Sequence, residues 1–131
     1  MKRLSVLVAD DEEHICLLIE QWLKPLGYAV VSARDGMQAI KLLQKARFDL
    51  VVTDILMPDS DGLKVIEKLK TTQPAAHILA ISGGGRFMDT NDCLRMARGL
   101  GADVAIMKPF VRDAFLEAVA QALAPRKKPA G

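Results

Sequence analysis

Apolar residues along the chain follow two alternating rhythms. Five short runs, at 4–9, 28–33, 50–53, 78–82 and 103–107, are rich in Val, Ile and Leu and barely alternate with polar residues. Strands covered on both faces read this way. Between the runs the apolar spacing becomes helical. Ile15, Leu18, Ile19, Trp22 and Leu23 fall at i, i+3, i+4, i+7 and i+8, and Pro25 with Gly27 closes that segment. Ala39, Ile40 and Leu43 mark a second helical face, and Val65, Ile66 and Leu69 a third. Cys93, Leu94 and Ala97 mark a fourth, ending near Gly99 and Gly101, and Val111, Phe115, Val119, Ala122 and Leu123 the last. Strand then helix, five times over with short connections, predicts an α/β domain: a parallel sheet with helices on both faces and right-handed crossovers.

Composition bounds the reading to one domain. The chain has 131 residues, 50% apolar and 26% charged, a globular balance in a length suited to a single core. Residues 1–124 are expected to form the domain and 125–131 (PRKKPAG) a basic, disordered C-terminal tail. That tail explains the net charge of +2, because without Arg126, Lys127 and Lys128 the body holds 15 basic against 16 acidic residues. A nucleic-acid footprint on the folded part is therefore not expected. Neither is a membrane span, which needs about 18 consecutive apolar residues. The short apolar start LSVLVA runs straight into acids, unlike a signal peptide. Cys16 and Cys93 show no CxxC spacing, so buried free thiols in a reducing cytosol are expected. With five helices accounted for, the domain is expected to stand alone.

Candidate chemistry collects at the strand ends, where open α/β sheets bind ligands. After the first run come Asp10 and Asp11, and after the third comes Asp54. The fourth ends in Ser82 followed by Gly83, Gly84 and Gly85, and the fifth in Lys108-Pro109. Each residue alone has a plain structural use: an Asp as helix cap, Ser82 as loop hydroxyl, Lys108 as surface charge. Together they predict three carboxylates, a hydroxyl with open amides and an amine converging on one edge. Crowded carboxylates repel and call for a cation. Hard oxygen ligands suit Mg²⁺, and a carboxylate beside it can attack phosphorus to form an acyl phosphate. The metal and an ammonium then neutralise the transferring oxygens. The three glycines lack the Lys-Ser/Thr of a phosphate-binding P-loop. His14 and His77 are read as surface or strand-edge residues, and Met57, Met88, Met96 and Met107 as core or loop fillers.

The stretches VLVADDEE (6–13), VVTDILMPDSDGL (51–63), ILAIS (78–82) and KPF (108–110) resemble the receiver domain of bacterial response regulators, particularly the single-domain kind, over residues 3–124. The resemblance implies a flavodoxin-like, doubly wound (βα)5 fold with strand order 2-1-3-4-5. It implies a Mg²⁺-dependent conformational signalling switch in the cytoplasm. Asp54 would accept a phosphoryl group from a histidine kinase or histidine phosphotransfer protein, and a downstream protein would read the result. Asp11 would bind Mg²⁺ directly and Asp10 through water, with Asp54 and the Leu56 backbone carbonyl as further ligands. Ser82 would be the switch hydroxyl, Gly83 would contact the phosphoryl group through its amide, and Lys108 would pair with it. The Lys108–Pro109 bond would be cis, and Gly62 would occupy a positive-φ turn.

Two departures stand out. The aromatic residue that often lies three positions before the lysine is here Ala105, and the segment GGGRFMDTND lengthens the path from Ser82 to Lys108. The favoured reading of that segment is a plain insertion, the alternative a specialised output surface with Phe87 as a replacement aromatic. Two other functions share the ingredients. A Mg²⁺-dependent aspartyl-nucleophile phosphohydrolase would want an acid two residues past Asp54, where Leu56 stands. An adaptor that works without phosphorylation would not need the full set of acids, hydroxyl and lysine. The expectation is a phosphoacceptor that is not a turnover enzyme.

Overall fold

A computed structural model of the chain describes residues 3–55, 57, 62–83 and 90–125. Its strands are β1 (Ser5–Ala9), β2 (Ala29–Ala33), β3 (Leu50–Asp54), β4 (His77–Ser82) and β5 (Val104–Met107). Its helices are α1 (Glu13–Leu23), α2 (Gly36–Lys45), α3 (Gly62–Thr72), α4 (Thr90–Leu100) and α5 (Arg112–Leu123). A short 3₁₀ turn, Lys24–Leu26, follows α1 and ends at Gly27 with φ 97°. The strands form one parallel sheet in the order β2-β1-β3-β4-β5. The flavodoxin-like reading of the fold therefore holds. No helix among the described residues is long and apolar enough to cross a membrane.

Each strand sends alternate side chains into two separate cores, which is why the runs read as continuously apolar. Leu7, Val51 and Ile78 face Ala39 and Leu43 of α2, Val65, Ile66 and Leu69 of α3, and Ala97 of α4. Their sequence neighbours Val6, Leu50 and Leu79 face Cys16, Ile19 and Leu23 of α1 and Phe115, Val119 and Ala122 of α5. In the second core Trp22 packs on Phe110 and Phe115, with ring centroids 6.1 and 5.5 Å away. The centroids of Phe110 and Phe115 are 5.4 Å apart.

Several expectations need correction. Val111 lies before α5, 70% exposed, because the buried stripe of that helix runs through Phe115, Ala118, Val119 and Ala122. Met96 and Met107 are exposed rather than fillers, whereas Met57 is buried. Asp103 stays out of β5 and instead accepts a 2.7 Å hydrogen bond from the Ile78 amide at the start of β4. Gly62 is no positive-φ turn but the first residue of α3. A Cβ there would collide with the Asp54 carbonyl oxygen and lie 2.8 Å from the Ile55 Cα. Glycine is required because two backbones touch, and the Gly62 amide bonds the Ile55 carbonyl at 2.7 Å. The Lys108–Pro109 peptide is cis. Leu56, Phe87 and the basic tail from Arg126 onward lie outside the described residues.

At the edge opposite the strand ends, Gln73 closes the sheet. It is 7% exposed. Its Nε2 donates to the Leu43 and Ala46 carbonyls at 2.9 and 2.8 Å, and its Oε1 accepts from the Phe48 amide at 2.9 Å. These bonds serve carbonyls and an amide left over where α2 ends. Gln73→Ala is expected to lower unfolding stability by about 2–3 kcal/mol, through buried groups left unpaired. A urea midpoint within error of the parent protein would contradict it. Gly62→Ala should cost about 1–3 kcal/mol by overpacking. Gly99→Ala is the control, since nothing lies within 4 Å of its added methyl, and it should stabilise by about 0.5–1 kcal/mol. Thermal and urea unfolding of the pair report the difference.

Candidate functional site

The ends of β1, β3, β4 and β5 bring the candidate residues to one rim. Asp10 follows β1 and is fully buried, its backbone amide bonded to the Ala33 carbonyl of β2 at 3.0 Å. Its Oδ1 accepts the Glu12 amide at 2.9 Å as the chain turns into α1. Asp11, one residue on, is exposed. Asp54 is the last residue of β3 and only 5% exposed, level in register with Ile81. Ser82 is fully buried at the end of β4. The Lys108 amide donates to the Ser82 carbonyl at 2.8 Å. Sheet register thus sets the positions of both, and the lysine stem runs back over the rim.

The Lys108 ammonium sits among three carboxylates. Its Nζ donates to Asp54 Oδ2 at 2.9 Å and to Glu12 Oε2 at 2.8 Å. It lies 3.0 Å from Asp10 Oδ2, a close ion pair that lacks hydrogen-bond alignment, so this buried oxygen has no aligned donor among the described residues. Gly83 lets the lysine lie flat: a Cβ there would be 3.3 Å from Lys108 Cδ. The Asp10, Asp11 and Asp54 carboxylate oxygens lie within 4.8 Å of one another.

Charge explains the titration behaviour. Burial pushes the Asp10 carboxyl above its usual range and the Asp54 charge adds to this, while the Glu12 amide and Lys108 partly offset it. Burial alone would lower the Lys108 pKa, but its hydrogen bonds to Glu12 and Asp54 and the close Asp10 carboxylate outweigh this and hold the ammonium well above its ordinary value. The bond from Lys108 pulls Glu12 below the usual carboxylate range.

Sequence reasoning located Asp10, Asp11, Asp54 and Lys108, and these four meet. Ser82 and Gly83 border them, while the Leu56 carbonyl lies outside the described residues. Glu12 was missed. It is the third acid of the run after β1, two residues beyond Asp10, and that spacing was the available signal. Three carboxylates, from Asp10, Glu12 and Asp54, surround one ammonium, and that of Asp11 lies close to Asp10 and Asp54. An all-oxygen set with surplus negative charge and an unaligned buried oxygen fits a hard divalent cation. Asp10, Asp11 and Asp54 are the residues that could hold it.

Comparison with known proteins agrees with this geometry. The family model described as the response regulator receiver domain matches residues 6–120. The response regulator GtcR of Aneurinibacillus migulanus is 37% identical over 117 residues, 89% of this chain and 45% of GtcR. The chain therefore spans less than half the length of that relative. The chemotaxis response regulator CheY4 of Vibrio cholerae superposes with a TM-score of 0.82 at 26% identity, covering 93% of this chain and all of that one. A response regulator of Burkholderia pseudomallei, solved with a phosphorylated aspartic acid, a calcium ion and citrate, gives 0.77 at 29% identity, covering 89% of this chain and 66% of that one. With its sheet order, its acidic rim and a family match running almost from end to end, the chain belongs to the response regulator receiver domains, the phosphoacceptor switches of two-component signalling.

Proposed function

We propose that Asp54 is the phosphoacceptor, with Mg²⁺ held by Asp10, Asp11, Asp54 and the Leu56 backbone carbonyl. The observation that carries this reading is the Lys108 ammonium 2.9 Å from Asp54 Oδ2, beside carboxylates gathered within 4.8 Å. The donor is a phosphohistidine on a histidine kinase or histidine phosphotransfer protein. An Asp54 carboxylate oxygen forms the new bond to phosphorus as the P–N bond breaks, and the imidazole keeps the electron pair and takes up a proton. Bound Mg²⁺ supplies positive charge to the phosphoryl oxygens. Lys108 supplies the fixed ammonium, and the Ser82 hydroxyl and Gly83 amide hydrogen-bond the remaining oxygens.

The phosphoryl group adds about −1.5 to −2 charges next to Lys108. That charge draws Ser82 inward and reshapes the surface around α4 and β5, biasing a two-state equilibrium that a downstream protein reads. Ala105, buried on β5, has no ring to swing, so the readout runs through other groups. No turnover of a free substrate belongs to this reading: the chain accepts the group on its own aspartate and loses it slowly to water. Residues 1–124 form the receiver unit, followed by the basic stretch 125–131, and the setting is the cytoplasm.

Acetyl phosphate with Mg²⁺ should add the mass of one phosphoryl group to the intact protein, and Asp54→Ala should abolish the adduct. An adduct that persists in the variant would refute the assignment. Asp10→Asn removes one of the three acids and should weaken Mg²⁺ binding by about tenfold or more. Calorimetric titration with Mg²⁺ alone measures this, and equal affinity in the two proteins would place the ion elsewhere.

A further inference from the structure

Lys108 has three N–H donors and no acceptor, and three carboxylates already surround them, at 2.8 Å (Glu12), 2.9 Å (Asp54) and 3.0 Å (Asp10). Resting on the Asp54 reading above, a phosphoryl group competes with these contacts for the ammonium, most directly with its two hydrogen bonds, to Glu12 and to Asp54. The three are unequal in the cost of release. The Asp10 side chain is 0% exposed and that of Asp54 6%, so both stay fixed at the rim among the acids that would hold the ion and neither can turn out to water. The Glu12 side chain is 46% exposed and returns to solvent at little cost.

We propose that Glu12 is the exchangeable partner of Lys108: it holds the ammonium before transfer and yields it to the phosphoryl group, so that its grip sets how readily Asp54 is phosphorylated. Glu12 is a positioning residue, acting through Lys108. It also sits directly before α1, while Lys108 leads through Pro109 into Phe110, which packs on Trp22 of that helix. Release of the Glu12–Lys108 bond therefore loosens the tie between the β1–α1 and β5–α5 loops at the rim, leaving the Asp10 ion pair and the aromatic contact below.

The test compares wild type, Glu12→Gln and Glu12→Asp with saturating Mg²⁺. The rate of adduct formation from acetyl phosphate and the affinity for beryllofluoride are both read, the latter needing no chemistry. Glu12→Gln should speed transfer and tighten beryllofluoride binding by about two- to fivefold, the range a half-exposed ion pair supplies. The midpoint of thermal unfolding and the affinity for Mg²⁺ alone should stay close to wild type. Glu12→Asp keeps the charge but not the reach, and should shift the same way. If Glu12→Asp behaves as wild type while Glu12→Gln alone is faster, general charge and not partner exchange is responsible, and the inference falls. Unchanged transfer and unchanged beryllofluoride affinity in Glu12→Gln also overturn it, with the Asp54 assignment left standing. A wild-type protein that forms no adduct overturns that assignment itself.

Discussion

Electrostatic imbalance at one end of the sheet is the constraint that organises this molecule. Four acidic side chains and a single ammonium are held where three of the four would repel each other if free to move. They stay together because the backbone leaves no choice. β1 and β3 are central, paired strands with fully buried residues, and their ends carry Asp10 and Asp54 as fixed extensions. Lys108 is drawn in from the sheet edge by its amide bond to Ser82. The rim is thus assembled by strand register, and its stored repulsion is relieved by whatever positive charge arrives.

The two-layer core is what allows this. A helix pair on one face and three helices on the other bury the central strands β1, β3 and β4, so that polar chemistry collects at the strand ends. The close approach of Gly62 to Asp54 belongs to the same economy of space: α3 begins so near the end of β3 that a single methyl group would push the acidic residue out of line.

Much of this was legible from residue order alone. Uninterrupted apolar runs revealed strands buried on both sides, and the acids, hydroxyl and lysine after them marked the rim, since register carries such residues to the same edge. What escaped detection depended on contacts between distant segments. Glu12 reads as one more acid before a helix until the Lys108 stem arrives from 96 positions away. Gln73 reads as a polar residue after α3, yet its partners lie 25 to 30 residues upstream. Gly62 reads as a turn, because sequence tells that a glycine is needed but not whether a dihedral angle or a neighbouring backbone needs it. Val111 fits a helical spacing but falls one residue before the helix begins, where the apolar stripe has no partner.

The far pole of the sheet has the opposite character. There Gln73, Asp49 and Asp103 tie loops to strand starts, with Asp49 accepting the Ser5 amide at 2.7 Å and Asp103 the Ile78 amide. Those ties are neutral amides or single carboxylates that accept backbone amides, remote along the strands from the acidic rim. Robustness and responsiveness thus occupy separate ends of the same five strands. Substitutions at residues 46–49 and 73–77 therefore act on how the sheet is closed, without touching the groups that surround Lys108.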